Sequence, residues 1–172
     1  MEDKMNDPKT QPHIPEGYGT VTPWIISKDS MGLISFLKKA FNAKSKGEPI
    51  HNPDGSVGHA EIIIGNSVVM LFDSKDDWPT TRTFLRLFVN DPEKTYHQAL
   101  GAGARSVTKV TELFWGDRIG RVCDPFGNLW WIQSIPANLP YEEIQKRSQD
   151  SNMIKAMEYV QQSLDTELAE KK

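Results

Sequence analysis

The side chains best suited to bind or transform a small molecule fall in two short apolar runs. One is FLRLF, in which Arg86 lies between Phe84 and Phe88, and the other is GHAEIII, in which His59 precedes Glu61 by two residues. Residues two apart on a strand share a face. Arg86 is therefore expected among aromatic rings, where a buried guanidinium needs an acidic partner. Either Arg86 forms an ion pair with Glu61, or it receives the carboxylate or phosphate of a ligand.

His59 and Glu61 also have the groups for acid–base chemistry and are the candidate catalytic residues of the chain. An imidazole and a carboxylate on one strand face can act as acid and base, or they can form a structural pair that supports Arg86. They could supply two ligands to a metal ion, but a metal site needs a further convergent donor. Motifs of the P-loop, GxSxG, CxxC and HExxH types are absent from the sequence.

A further polar pair lies beside an aromatic ring in the segment Trp115-Gly116-Asp117-Arg118. Asp117 and Arg118 flank a turn at the start of a predicted strand. They either pair with each other at the surface or form a clamp at the rim of a ligand site.

The composition favours a small molecule as partner. The formal net charge is -3 and the isoelectric point is about 5.8, whereas binding to nucleic acid or anionic membranes normally needs clustered Lys and Arg. The single cysteine, Cys123, is expected to be a buried structural thiol. The sequence has neither an apolar signal core nor a run of about twenty apolar residues. We therefore expect a cytoplasmic protein with no nucleic-acid and no membrane partner.

The elements that must position these residues occur twice in the same order: a strand, a helix and three strands. In residues 18–74 the patterns predict a strand over 18–27, a helix over 31–41, a short strand over 45–50 and a hairpin over 58–72. In residues 82–139 they predict a strand over 82–90, a helix over 91–101, a strand over 105–115 and a hairpin over 117–133. The charged segment 75–81 connects the two units.

Turn and cap residues support these elements. The second hairpin is expected to turn at Asp124-Pro125-Phe126-Gly127, where Pro and Gly fit a type I turn, and the first at Gly65-Asn66. Asp29 or Ser30 can cap the first helix. Pro92 suits the first turn of the second helix.

The two ends of the chain do not follow the repeated order. Residues 1–17 are polar and are expected to form a flexible arm. Residues 140–172 form a helical extension whose apolar stripe consists of Ile154, Met157, Val160, Leu164 and Leu168. This helix is expected to dock on the sheet or on a second subunit; the alternative is a site that recruits a partner protein.

Three segments carry a resemblance to a known family: PEGYGTVTPWII, NPDGSVGHAEIIIGNSVVMLF and FWGDRIGRVCDPFGNLWWI. Together they resemble the vicinal oxygen chelate superfamily, which includes glyoxalase I, extradiol dioxygenases, and fosfomycin and bleomycin resistance proteins, and within it the PhnB-like group. The resemblance implies an α+β fold in which two βαβββ units form a cupped mixed sheet, with helices outside and here a C-terminal helical tail. It also implies a homodimer.

The metal enzymes of the superfamily hold a divalent ion with one His or Glu on the first and fourth strands of each unit. This sequence has Thr22, Met70, Phe84 and Trp131 at the corresponding positions. Phe and Trp offer no lone pair suited to a metal ion, and Thr and Met are weak substitutes. We therefore expect no metal ion and no cofactor.

Strand alternation predicts what lines the cup in place of metal ligands. The expected ligand-binding residues are Trp24, Phe72, Phe84, Arg86, Phe88, Trp115, Asp117, Arg118, Trp131 and Gln133. The residues expected to face the helices are Leu85, Leu87, Val89, Trp130 and Ile132. An aromatic lining with few polar groups suits a flat aromatic or acidic ligand, although the same rings could instead fill a collapsed core.

Three functions are compatible with these observations. The first is a protein that binds a small aromatic or acidic molecule without a metal, as the resemblance to bleomycin resistance proteins implies. The second is a lyase, isomerase or dioxygenase with an atypical active site around His59, Glu61 and Arg86. The third is a regulatory or interaction module that uses the helical tail.

Overall fold

The structure is a computed structural model that describes residues 14–135 and 138–169. The first unit comprises β1 (Trp24–Ser27), α1 (Ser30–Phe41), β2 (Lys44–Ser45), β3 (Ile50–His51), β4 (Val57–Ile64) and β5 (Ser67–Asp73). The second comprises β6 (Phe84–Phe88), α2 (Pro92–Gly101), β7 (Arg105–Glu112), β8 (Arg118–Cys123) and β9 (Leu129–Ser134). The helices α3 (Tyr141–Ser148) and α4 (Ser151–Ala169) follow. The predicted α+β fold of two βαβββ units with a C-terminal helical tail is confirmed.

The first strand is shorter than predicted. It begins at Trp24 instead of residue 18, and the segment before it makes a turn in which the Tyr18 amide donates to the Pro15 carbonyl. Pro23 has no N–H for a sheet ladder, and its carbonyl accepts a hydrogen bond from the Met70 amide at the start of the β1–β5 pairing. Of the predicted flexible arm, residues 1–13 lie outside the described part of the chain.

The predicted strand over 45–50 is two short strands. Gly47, at φ +85°, lies between β2 and β3, in a conformation that glycine adopts readily. Both short strands pair antiparallel with β4. The segment therefore adds two short strands beside β4 instead of one longer strand.

Helix caps form where the sequence indicates. The Asp29 carboxylate accepts a hydrogen bond from the Gly32 amide at 2.7 Å, and the Asp91 carboxylate accepts one from the Lys94 amide at 3.0 Å. These side chains satisfy amides that the first turn of a helix leaves free. The predicted helix starts are confirmed.

The two units form separate sheets of matching topology. The strand order is β1-β5-β4-β2 in the first, with β3 also paired to β4, and β6-β9-β8-β7 in the second. In each unit the first strand is parallel to the last, since β1 pairs with β5 and β6 pairs with β9. Within the described residues, no strand of one sheet pairs with a strand of the other.

The helix-facing sides of both sheets share one core. Ile25 and Leu71 of the first sheet and Trp130 and Ile132 of the second belong to the same buried cluster, in which the rings of Phe41 and Trp130 are 4.9 Å apart. The helix-facing positions predicted for the second unit are confirmed, because Leu85, Leu87 and Val89 also pack against this cluster.

The two helices also contact each other. The side-chain amide of Gln98 in α2 donates to the Lys39 carbonyl in α1 at 2.7 Å. Since alternate residues of a strand point to opposite faces, the second face of each sheet is turned away from the shared core. We call these the outer faces.

The turn of the second hairpin is held by a buried carboxylate. The Gly127 amide donates to the Asp124 carbonyl at 3.1 Å, which closes the predicted four-residue turn. The Asp124 side chain accepts hydrogen bonds from the amides of Phe126 and Asn128 and from the indole of Trp130. The turn is thereby fixed to the core at Trp130, which aligns β8 with β9.

The C-terminal tail forms two helices instead of one continuous helix. The break falls at Asp150, whose carboxylate accepts hydrogen bonds from the amides of Asn152 and Met153 at the start of α4. An Asp at this position favours a new helix start. Within residues 14–135 and 138–169, no helix is both long enough and apolar enough to cross a membrane.

Candidate ligand-binding site

The outer face of the first sheet carries an aromatic group that is open to solvent. The ring of Trp24 lies 5.4 Å from that of Phe72 and 5.8 Å from that of His59, both edge to face. Trp78 from the connector adds a further ring at 6.1 Å from Phe72. Trp24 remains 46% exposed, so these rings form a platform rather than a core.

Beside this platform, Glu61 is held by three neighbours. Its carboxylate accepts a hydrogen bond from the Tyr18 hydroxyl at 2.5 Å and contacts His59 Nε2 at 3.0 Å, and Lys46 Nζ lies 3.8 Å away. The hydrogen bond from Tyr18 is the largest influence on the pKa of Glu61; with His59 and Lys46 it outweighs the effect of burial and lowers this pKa below its usual value. The cluster favours an ionised carboxylate.

The predicted Glu61–Arg86 ion pair is wrong. Glu61 lies on the outer face of the first sheet and Arg86 on that of the second, and the shared core separates the two faces. Glu61 instead contacts Tyr18, His59 and Lys46, and Arg86 lies over the Trp131 ring.

The outer face of the second sheet is organised by a row of three side chains. Trp131 of β9 pairs in register with Arg86 of β6 on one side and with Arg121 of β8 on the other. The guanidinium carbons lie 4.4 Å and 4.1 Å from the centre of the Trp131 ring. Such distances are within the range of cation–π attraction. The row therefore places two positive charges on one indole ring.

Two phenylalanines extend this face toward solvent. Phe84 is 46% exposed and Phe88 is 63% exposed, and the ring of Phe84 is 6.2 Å from that of Trp131. Arg86 lies between them on the edge strand β6 and forms no ion pair with any described residue. These rings do not fill a core, so the collapsed-core alternative is wrong for this face.

Arg121 is a residue of this face that was not among the predicted site residues. It is 2% exposed, and its Nη1 donates to the Thr108 hydroxyl at 3.1 Å and to the Val160 carbonyl at 2.7 Å. Burial chiefly, then the charge of Arg86, lowers the pKa of Arg121 to about 10, although Asp165 opposes this shift. Its position opposite Trp131 in the predicted hairpin was the available signal.

Helix α4 covers the part of this face that lies over β7 and β8. Val160 of α4 forms a buried cluster with Leu113 and Ile119, against which Trp115 and Met157 pack. The prediction that the tail docks on the sheet is confirmed.

The predicted apolar stripe is correct only at its centre. Val160 is buried, whereas Ile154 and Leu168 are about half exposed. The face of α4 that contacts the second unit includes Glu167, a charged residue that is nevertheless only 4% exposed. A search for apolar positions alone cannot find this face.

Glu167 fastens the end of α4 to the second unit. Its carboxylate forms an ion pair with Arg82 and accepts hydrogen bonds from Arg105 Nη2 at 2.9 Å and 2.7 Å. Burial alone would raise the pKa of Glu167, but the hydrogen bonds and charges of the two arginines hold it below its usual value. The tail is therefore fixed by charge as well as by apolar packing.

Asp117 and Arg118 have different partners, so the predicted pairing between them is wrong. The Gln133 side-chain amide donates to Asp117 at 2.5 Å, whereas Arg118 Nη2 donates to Glu93 of α2 at 2.9 Å. Asp117 immediately precedes β8 and Arg118 is its first residue, and consecutive side chains of extended backbone point to opposite faces. The Asp117 side chain therefore lies on the outer face, and the Arg118 side chain points away from it toward α2.

The predicted site residues thus fall into three places. Trp24 and Phe72, with His59 and Glu61, lie on the first outer face. The second outer face carries Phe84, Arg86, Phe88, Trp131 and Gln133, and Asp117 accepts a hydrogen bond from Gln133 there. Trp115 lies under α4, and Arg118 is outside both faces. Among the described residues, aromatic contacts join rings within each face and none joins the two faces.

The four positions implied for metal ligands do not fit a divalent ion. Met70 is paired in register with Trp24 and Glu61 on the first sheet, and Trp131 is flanked by two guanidinium groups that would repel a cation. Neither unit supplies convergent oxygen or nitrogen donors at these positions. In the part of the chain that the structure describes, no three His, Cys, Asp or Glu side chains form a group that could hold a metal ion.

A family model identifies the family of this chain, and uncharacterized relatives match a similar span. The family model of the Glyoxalase/Bleomycin resistance protein/Dioxygenase superfamily matches residues 20–132, which end before α3. An uncharacterized protein of Mycobacterium bovis is 35% identical over 136 residues, which are 73% of this chain and 89% of that protein. An uncharacterized protein of Mycobacterium tuberculosis is also 35% identical over 136 residues, 73% of this chain and 79% of that protein.

Solved structures share the fold at lower identity. TioX from Micromonospora sp. ML1 matches with a TM-score of 0.57 at 20% identity, over 67% of this chain and 98% of TioX. A PhnB protein from Bacillus cereus matches with a TM-score of 0.52 at 14% identity, over 68% of this chain and all of that chain. Because the family model covers more than half of this chain, the chain belongs to the Glyoxalase/Bleomycin resistance protein/Dioxygenase superfamily.

Proposed function

We propose that the protein binds a planar aromatic molecule bearing a carboxylate or phosphate on its outer aromatic faces, without a metal ion and without transforming it. The observation that carries this proposal is the open group of Phe84, Phe88 and Trp131 around Arg86, whose guanidinium has no acidic partner among the described residues. Aromatic rings supply apolar contact area, and a guanidinium recognises a planar acid by paired hydrogen bonds.

A second copy of the chain completes this site in our proposal. Each outer face offers one wall, and both β1 and β6 are edge strands, which proteins normally pair or cover. The first face carries the ionised Glu61, whereas the second carries Arg86. Opposite charges on two surfaces favour their association, so the first face of one copy suits the second face of another.

The Glu61 cluster argues against the enzyme alternative. An effective general base has a pKa near the working pH, whereas Tyr18, His59 and Lys46 lower the pKa of Glu61. The docking of α4 on the second sheet argues against the interaction-module alternative, since Val160 and its neighbours are already covered within the chain.

Fluorescence titration with 1-naphthoate and with the neutral 1-naphthalenemethanol tests the proposal. We expect both to quench tryptophan fluorescence, with dissociation constants in the micromolar to millimolar range, and we expect the acid to bind more tightly. The Arg86→Ala variant should weaken naphthoate binding about tenfold and leave the neutral compound within about twofold. The matched control is Arg118→Ala, because Arg118 pairs with Glu93 away from both faces.

Two outcomes would contradict the proposal. Absence of quenching and of thermal stabilisation by either compound would remove ligand binding at these faces. A chemical change in a bound compound that disappears in Glu61→Gln would support the enzyme alternative instead. For the subunit state, sedimentation equilibrium at tens of micromolar should give twice the chain mass of 19.5 kDa, and a single species of chain mass would refute the dimer.

A further inference from the structure

A cavity of about 430 Å³ lies between helix α4 and the outer face of the second sheet. Its walls are mostly apolar and include Leu113, Trp115, Met157 and Leu164. Gln161 and Asp165 of α4 also line it. The volume falls within the range of small-molecule pockets, and the mixture of apolar walls with few polar groups is typical of them.

Polar atoms without partners cluster at the sheet side of this cavity. Arg121 Nε, Trp131 Nε1 and Gln133 Oε1 are buried and have no hydrogen-bond partner among the described residues. Buried polar atoms are nearly always satisfied in folded proteins, and an unsatisfied one is costly. Arg121 and Trp131 are adjacent in the sheet register and both line the cavity. Both nitrogens are closed to solvent, so they lie behind the cavity wall, and a ligand reaches them only when the two side chains shift.

The positive charge of Arg121 is only partly offset, because Asp165 acts on it from a distance. No described carboxylate lies within ion-pair distance of its guanidinium. The acidic group that lines the cavity, Asp165, lies beyond that distance, and Asp117 is engaged by Gln133. Burying a guanidinium without an anion is costly. An anionic group that accepts hydrogen bonds from an arginine and from an indole N–H would supply both the missing acceptors and the missing negative charge.

We propose that this cavity binds a short-chain carboxylic acid as its carboxylate. The side chains of Arg121 and Trp131 shift so that their N–H groups donate to the carboxylate, and the alkyl chain packs against Leu113, Met157 and Leu164. A flexible alkyl chain suits these aliphatic walls, whereas a planar aromatic ligand suits the open side of Trp131. The proposal concerns a different cavity and a different ligand, and it does not depend on the function proposed above.

Isothermal titration calorimetry of the full chain with hexanoate and octanoate tests this site, with 1-octanol as the neutral compound of matched length. We expect octanoate to bind more tightly than hexanoate, by about fourfold for each added methylene group that is buried. We expect 1-octanol to bind at least about tenfold more weakly than octanoate, because it offers no charge to Arg121. Absence of octanoate binding, or equal binding of octanoate and 1-octanol, would overturn the proposal.

Two variants separate the polar contacts from the fold. Arg121→Met keeps an unbranched stem, removes the guanidinium and should weaken octanoate binding at least about tenfold. The matched control is Arg118→Met on the same strand, which should leave binding within about twofold because Arg118 contacts Glu93 instead. Equal losses in the two variants, or no loss in Arg121→Met, would contradict the site.

Trp131→Phe keeps an aromatic ring and removes the N–H. It should weaken octanoate binding about threefold or more, which gives a measurement that remains valid if Arg121→Met does not fold. Circular dichroism shows whether each variant retains the wild-type secondary structure. Unchanged octanoate affinity in folded Trp131→Phe would exclude the indole as a ligand and overturn the geometry proposed.

Discussion

The outer faces of the two sheets differ in charge and in covering, although the sheets have the same topology. On the first face the principal charge is Glu61, which Tyr18, His59 and Lys46 surround. On the second face Arg86 and Arg121 flank Trp131, and neither has an ion-pair partner within the described ranges. The repeated fold places outer-face residues at equivalent positions, but it does not dictate their chemistry.

The covering of each face comes from outside the repeated elements. Tyr18, from the segment before β1, reaches Glu61 on the first face. Helix α4, from the C-terminal tail, covers half of the second face and is fastened there by Glu167. The two ends of the chain, which lie outside the βαβββ units, therefore distinguish two faces that the fold alone would make alike.

The largest effect is expected from releasing the cover of the second face. Glu167→Gln removes the charge that pairs with Arg82 and Arg105, and breaking a buried ion pair typically costs about 3–5 kcal/mol. Because the Arg105 side chain is more than half exposed, we expect a loss near the lower limit, about 3 kcal/mol, in urea unfolding. Glu158→Gln, on the exposed side of the same helix, is the matched control and should change stability by less than about 0.5 kcal/mol. Equal effects of both variants would show that the ion pairs do not fasten α4.

Acidification should weaken the ion pairs of Glu167 with Arg82 and Arg105. The pKa of Glu167 in the folded protein lies below its usual value of 4.5, so its contribution to stability is fully present above that value. It is lost as the pH falls through the folded-state pKa. The difference in unfolding free energy between wild type and Glu167→Gln should therefore be constant near pH 7 and should shrink below pH 4.5. Glu61 titrates in both proteins, so its effect cancels; a pH-independent difference would contradict the assignment.

A smaller effect is expected from uncovering the first face. Tyr18→Phe removes the hydrogen bond to Glu61 and should cost about 1 kcal/mol. The pKa of Glu61, measured by NMR titration, should rise toward 4.5 because the hydrogen bond from Tyr18 is the largest cause of its lowering. Tyr141→Phe on α3, where the tyrosine is 72% exposed, is the control and should change neither quantity. An unchanged pKa in Tyr18→Phe would mean that His59 and Lys46 suffice.

Much of the fold was accessible from the sequence because its signals are local. Asp29 and Asp91 mark helix starts, and the Asp124–Gly127 turn fixes a hairpin, in each case through residues close together in the chain. Strand alternation likewise predicted that Trp130 and Ile132 face the helices. These predictions needed no knowledge of how the two units are arranged.

The site was less accessible because it depends on long-range arrangement. Glu61 and Arg86 are suitable partners by type, but they lie on different sheets and have other neighbours: Glu61 contacts Tyr18, His59 and Lys46, and Arg86 lies over the Trp131 ring. Arg121 lies in the run RIGRVC, which reads as an ordinary strand, and its importance follows from the pairing with Trp131 and the covering by α4. Glu167 lies at a polar position of a mainly polar helix, so only the docked geometry shows that it is buried.

The smallest effect is expected on the open part of the second face. Phe88 is 63% exposed, so Phe88→Ala removes little buried surface and should change the unfolding free energy of the monomer by less than about 0.5 kcal/mol. Ile132→Ala is the control from the helix-facing side of the neighbouring strand, and it should cost about 2–5 kcal/mol because Ile132 is fully buried. Measured in dilute protein, this contrast establishes that the rings of the second face do not support the fold. If Phe88→Ala is destabilising only at high protein concentration, the ring is covered by a second copy, as the proposed dimer requires; if it is strongly destabilising at every concentration, the face is covered within the chain.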